Sequence, residues 1–190
     1  MIRAGRFTVF FDACVLFSAP LRDLLLELAV SGFFRARWSP AVHEEWISNL
    51  LATRPDLDRG RLARTRVLMD SALPDALVDG YQELVDVLKL PDPGDRHVLA
   101  AAIKARADLI LTWNLQDFPA ATLAEWNIEV RDPDGFLSTP FTRTRRGSAR
   151  PCGGYASACA IRRRPPKNIL RSWNAGGLRD SWPRSHPMPP

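Results

Sequence analysis

The sequence predicts an α/β fold with a mostly parallel central sheet. Three observations carry this prediction. Short apolar strand signals alternate with helical apolar periods across residues 7–137. The helices have the length of strand-to-strand crossovers, and turn residues separate the segments. The first strand signal is FTVFFDA (7–13), apolar except for the single acid Asp12. A helix follows in PLRDLLLELAVSGF (20–33), opened by Pro20, with Leu24, Leu25, Leu28 and Ala29 on one face. FRARWS (34–39) is a second short strand. SPAVHEEWISNLL (39–51) starts on a Ser-Pro signal and repeats apolar residues at Val42, Trp46, Ile47 and Leu50. RGRLARTRVLMDSAL (59–73) and DALVDGYQELVDVL (75–88) read as two more helices. PDPGDRHVLAAAIKARA (91–107) is a helix after a Pro-Gly turn, with Val98, Leu99, Ala102 and Ile103 stacked on one side. DLILTWN (108–114) reads as a buried strand, and IEV (128–130) as a short last one before DPDGFL.

Size and composition narrow the class. The chain has 190 residues, 46% of them hydrophobic, enough for one sizeable core. No run of 18 apolar residues exists, and the apolar N-terminal stretch is short and holds Asp12, so a cytoplasmic protein is expected. Cys14, Cys152 and Cys159 form no CxxC pair, and His43, His97 and His186 are scattered, which argues against disulfide scaffolds and structural zinc.

The net charge of +5 divides unevenly. Residues 138–190 hold eleven Arg/Lys against one acid, whereas 1–137 hold fifteen basic and twenty acidic residues. The expected organisation is one folded domain over 1–137 and a disordered C-terminal tail over 138–190, which has eight prolines, five glycines and no sustained period. The tail's charge fits contact with RNA, DNA or an acidic partner, but its composition fits an extension without a role better.

A lone aspartate in an apolar strand costs several kcal/mol unless it is paired or delivered into a cleft. In parallel α/β sheets the working crevice lies beyond the carboxyl ends of the strands. Asp12 ends the first strand, Asn114 and Asp117 follow DLILT, Asp95 opens the preceding helix, and Glu44 and Glu45 lie in the SPAVHEEW helix. Gathered carboxylates raise one another's pKa unless a cation holds them ionised. Oxygen donors without a necessary His or Cys favour Mg²⁺ or Mn²⁺, and such an ion suits phosphodiester hydrolysis. Each residue also has an ordinary reading: Asp95 as a helix cap, Asn114 and Asp117 as caps or surface groups.

In this order FDACVLFS, SPAVHEEWISNL, PDPGDRHVLAAAI and ADLILTWNLQDFP resemble a PIN-domain ribonuclease of the bacterial VapC type, across residues 7–137. The resemblance implies a PIN-like three-layer α/β/α sandwich and RNA cleavage dependent on Mg²⁺ or Mn²⁺. It also implies a homodimer that acts as a toxin held in check by a cognate antitoxin. Carried over residue by residue, it implies Asp12, Glu45 (with Glu44 as the fallback) and Asp95 as metal-holding catalytic acids, with Asp92 as a companion. Asn114 takes the fourth catalytic position, Asp117 is a further metal or water ligand, and Thr112 a hydrogen-bond partner of Asp12. One departure stands out: Cys14 occupies a place where the family often has Asn. Strand period would put it on the Asp12 side, and it also reads as a small buried residue. Arg22, Arg35, Arg54 and Arg96 are the candidate phosphate contacts, while His43, His97 and the tryptophans Trp38, Trp46, Trp113 and Trp126 are read as structural. A catalytically silent module of the same fold is the alternative. A receiver or an aspartate-nucleophile phosphatase fits poorly, because Cys14 stands where a second Asp is needed.

Overall fold

The computed structural model describes residues 7–139 in full, together with the backbone of two short strands at Ile2–Arg3 (β1) and Phe141–Thr142 (β6), which pair in parallel. The tail expected over 138–190 therefore lies almost wholly outside the described residues. The central sheet has four parallel strands, β2 (Thr8–Phe11), β3 (Arg35–Arg37), β4 (Leu109–Leu111) and β5 (Glu129–Arg131), in the order β3-β2-β4-β5. From β2 the chain crosses one way to β3, and from β4 it crosses the other way to β5. With right-handed crossovers this reversal places helices on both faces, the three-layer arrangement expected from the sequence. It also puts a topological switch point between β2 and β4, where α/β sheets open a crevice.

Why each element forms is local. β2 and β4 are buried along their whole lengths, which is why they read as continuous apolar runs. Helix α2 (Ala19–Val30) has Pro20 in its first turn and buries Leu21, Leu24, Leu25 and Ala29. Helix α3 (Pro40–Thr53) begins where the Ser39 hydroxyl accepts from the Val42 N–H at 3.2 Å, and it buries Val42, His43, Trp46 and Ile47. Helix α4 (Arg59–Ala72) is capped by Asp58 and buries only Leu62 and Met69. Helix α6 (Arg96–Lys104) is sunk into the core from Val98 to Ala102. Helix α8 (Pro133–Leu137), capped by Asp132, brings Phe136 edge-on to Phe34, with centroids 5.2 Å apart. Among the described residues, no helix is long and apolar enough to cross a membrane.

Three expectations are corrected, and one element is added. The first strand stops at Phe11, and Asp12 caps a short helix, α1 (Ala13–Phe17), instead of continuing the strand. The helix expected over 75–88 is a single turn, α5 (Gln82–Val85). Ahead of it, Ala76 and Val78 bond the backbone of Trp38 in an extended conformation, and Gly80 turns the chain at φ +70°. The helix read over 91–107 starts only at Arg96, after a 3₁₀ turn at Pro93–Asp95. A helix the pattern did not announce, α7 (Ala120–Ala124), follows Pro119.

A part-buried polar knot ties α3 and α4 to Trp38, the residue after β3. The Asp70 Oδ1 accepts from the Trp38 indole N–H at 2.9 Å and lies 3.1 Å from His43 Nε2. The Trp46 indole donates to His43 Nδ1 at 3.0 Å, so the ring proton sits on Nε2 and points at Asp70. Burial pushes the His43 pKa down, against the pull of Asp70, so the ring stays neutral in the fold. Asp70→Ala strands both donors. Each orphan costs about 1–3 kcal/mol, so urea denaturation is expected to show a loss of roughly 3 kcal/mol. A loss under about 1 kcal/mol would mean the knot contributes little.

Candidate active site

At the carboxyl end of β2, Asp12 keeps its backbone N–H on Leu111 O of β4 (3.1 Å) while its side chain turns to cap α1. Its Oδ1 accepts from the Ala13 N–H at 2.6 Å. Its Oδ2 accepts from Thr112 Oγ1 at 2.6 Å and from the Cys14 thiol at 3.1 Å. Thr112, directly past β4, accepts in turn from the Asn114 N–H at 2.9 Å. Cys14 thus lies beside Asp12 by virtue of helix α1, not through the strand alternation expected of it. Its sulfur takes the Trp113 N–H at 3.2 Å. Burial, then the Asp12 charge, pushes the thiol pKa well up, which keeps the proton that it donates to Asp12.

Asp95 comes to the same edge from the 3₁₀ turn. It is only 4% exposed and makes no side-chain cap, so the simple capping reading fails. Its Oδ2 is buried with no hydrogen-bond partner. Burial raises its pKa to about 8, and the charges of Asp12, Asp117, Asp92 and Glu45 push the same way. Asp12 is raised as well, by burial and then by Glu45, against the three hydrogen bonds it accepts.

The tightest group is Asp92, Asp95 and Asp117, each with one oxygen within 4.8 Å of the others. Asp92 caps the 3₁₀ turn through the Gly94 N–H at 2.7 Å. Asp117 ends a second such turn, Leu115–Asp117, and accepts from the Asn114 side-chain amide. Asn114 does not cap that turn; it is exposed and holds Asp117 instead. Asp12 and Glu45 stand outside the 4.8 Å group, but both act on Asp95 through their charges. Glu45 comes from α3, with Oε2 buried, making no hydrogen bond, and 3.4 Å from His97 Nε2. Glu44 points elsewhere, paired with Arg66 at 2.6 Å and Arg59 at 3.3 Å on α4.

Asp92, expected only as a companion of Asp95, is a full member of the group; its i, i+3 spacing to Asp95 around Pro93-Gly94 marks a turn that brings two acids together. His97, expected to be structural, lies against Glu45. Three of the four candidate phosphate contacts are corrected. Arg22 is 7% exposed, donates to Leu16 O at 3.0 Å and lies 5.1 Å over the Trp46 ring. Arg54 is held by both oxygens of Asp56 at 2.8 Å. Arg35 opens β3, paired in register with Thr8 at the start of β2, so it sits at the opposite end of the sheet from the acids. Arg96, next to Asp95, keeps a buried Nε without a partner.

Two buried carboxylate oxygens that make no hydrogen bond, Asp95 Oδ2 and Glu45 Oε2, belong to a set of five mutually charged acids, with His97 Nε2 3.4 Å from the second of them. That set of oxygens fits a hard divalent cation. A family model described as PIN domain matches residues 8–116, more than half of the chain, and covers Asp12, Glu45, Asp92, Asp95 and Asn114 but stops one residue short of Asp117. A curated Mycobacterium tuberculosis protein named "Putative ribonuclease VapC50" is 40% identical over 67 residues. The matched stretch is 35% of this chain and spans 39% of that relative's length.

Proposed function

Because this chain belongs to the PIN-domain family, we propose that it is a metal-dependent endoribonuclease that hydrolyses RNA phosphodiesters, the toxin of a toxin–antitoxin pair. The observation that carries the reading is the Asp95 carboxylate, buried, unpartnered at Oδ2 and surrounded by four other acids. Protons or a cation stabilise such an arrangement, and burial with the four neighbouring acids pushes the Asp95 pKa up to about 8. The name of the Mycobacterium tuberculosis relative, which includes ribonuclease, supports the substrate class.

Asp95, Asp92 and Asp117 would hold Mg²⁺ or Mn²⁺, with Asp12 and Glu45 completing the charge around it. A bound ion of this kind supplies positive charge to the phosphoryl oxygens and lowers the pKa of a water. The protein's own part is orientation. Ala13 N–H and Thr112 fix Asp12, and the Asn114 amide fixes Asp117. The Cys14 thiol donates to Asp12 where the family often places an Asn, so the departure keeps a donor, though a weaker one. Arg96 is the remaining candidate for an RNA phosphate among the arginines first considered.

The same reading makes residues 1–137 the nuclease domain and 138–190 its tail. It places the protein in the cytoplasm, as a homodimer, with a cognate antitoxin as its partner. RNA incubated with Mg²⁺ or Mn²⁺ is expected to be cut, to stay intact in chelator, and to be cut at least about a hundredfold more slowly by Asp12→Asn. Cleavage that persists in chelator, or in the variant, removes the proposal.

A further inference from the structure

We propose that His97 is a positioning residue, whose Nε2 holds the Glu45 carboxylate against the acid cluster; this rests on the nuclease reading above. Glu45 reaches the site from α3, whereas Asp95 arrives at the start of α6, so the two elements need a link near the acids. His97, the second residue of α6, supplies one: its Nε2 is 3.4 Å from Glu45 Oε2, with side chains only 22% and 18% exposed. No other basic side chain pairs with Glu45 among the described residues. Each neighbouring acid that could share the pocket repels it. A glutamate has three side-chain torsions to fix, and without this contact repulsion favours swinging away from Asp12 and Asp95.

His97 does not qualify as one of the clustered ligands. The compact group is Asp92, Asp95 and Asp117, and the Nδ1 of His97 is buried with no partner. Its role is therefore indirect, the part that outer-shell partners of carboxylates play around metal ions.

The test uses the full chain at one fixed pH. Mn²⁺ binding followed by calorimetry is expected to weaken about 10- to 100-fold in His97→Ala. His97→Gln retains an N–H donor of similar reach and is expected to recover affinity to within a few-fold of the parent. In chelator, the urea midpoints of His97→Ala, Glu45→Gln and the double variant are expected not to add, since the two side chains act as a pair. Unchanged Mn²⁺ affinity in His97→Ala, equal losses in His97→Ala and His97→Gln, or additive midpoints would each overturn the assignment. Failure of the nuclease reading shows separately: the parent itself would take up no Mn²⁺, which overturns both.

Discussion

In the absence of metal, Asp95→Asn is expected to melt above the parent while losing Mn²⁺ binding and RNA cleavage. The two effects have one origin. Asp95 is 4% exposed, its Oδ2 lacks a donor, and burial and four neighbouring acids raise its pKa to about 8. At pH 8.5 most molecules would carry that charge uncompensated. An amide of the same shape removes the repulsion and adds an N–H that can donate to Asp92, Asp117 or Glu45. A gain of a few kcal/mol in a domain of this size corresponds to roughly 5–10 °C in melting temperature. The same exchange removes the central anionic ligand, and activity is expected to fall more than about a hundredfold, beyond the cost of losing an outer-shell partner. Thermal melts in chelator and Mn²⁺ titrations check both halves. An Asp95→Asn protein that melts lower and still cleaves RNA would show Asp95 to be a structural acid.

What was legible from the sequence follows from what is local. The strands FTVFF and LIL and the apolar faces of α2, α3 and α6 are periodic over their own lengths, so their placement was readable. The acids at their ends were readable for the same reason, because parallel strands deliver their carboxyl ends to one edge. Asp12, Asp95 and Asn114 could be picked out by position, and Glu45 over Glu44 only through the family resemblance, but their separations could not. That is why the compact trio of Asp92, Asp95 and Asp117 emerged only from the folded chain. Residues 75–88 were misread as a helix because Ala76–Val78 satisfies its backbone on Trp38, a partner some 40 residues away that no periodicity announces. Arg22 was misread for a related reason. An arginine near a site by sequence looks like a phosphate contact until its guanidinium is seen bonded to the end of α1.

Metal uptake at neutral pH is expected to release about one proton per ion, and the metal-free protein is expected to lose stability as pH rises towards 8. The sign follows from the direction of the shift. Asp95 in the fold holds its proton up to about 8, whereas in the unfolded chain it releases it near its ordinary 3.8. Between those values the native state binds more protons, so the stability that this group contributes falls with rising pH, by about 1.4 kcal/mol per unit at its steepest. The raised pKa of Asp12 acts in the same direction. His43 acts oppositely and at lower pH: its lowered pKa means that stability falls as pH drops below about 6.5, when the unfolded chain protonates and the buried ring does not. A divalent ion competes with the Asp95 proton, so its stabilising effect should grow from pH 6 to pH 8 and level off above. Calorimetric Mn²⁺ titrations in buffers of different ionisation enthalpy count the released proton, and melts with and without Mn²⁺ trace the stability curves. If no proton leaves and metal-free stability rises between pH 6 and 8, the acids are not coupled through Asp95, and the ion-binding role of the cluster fails with that coupling.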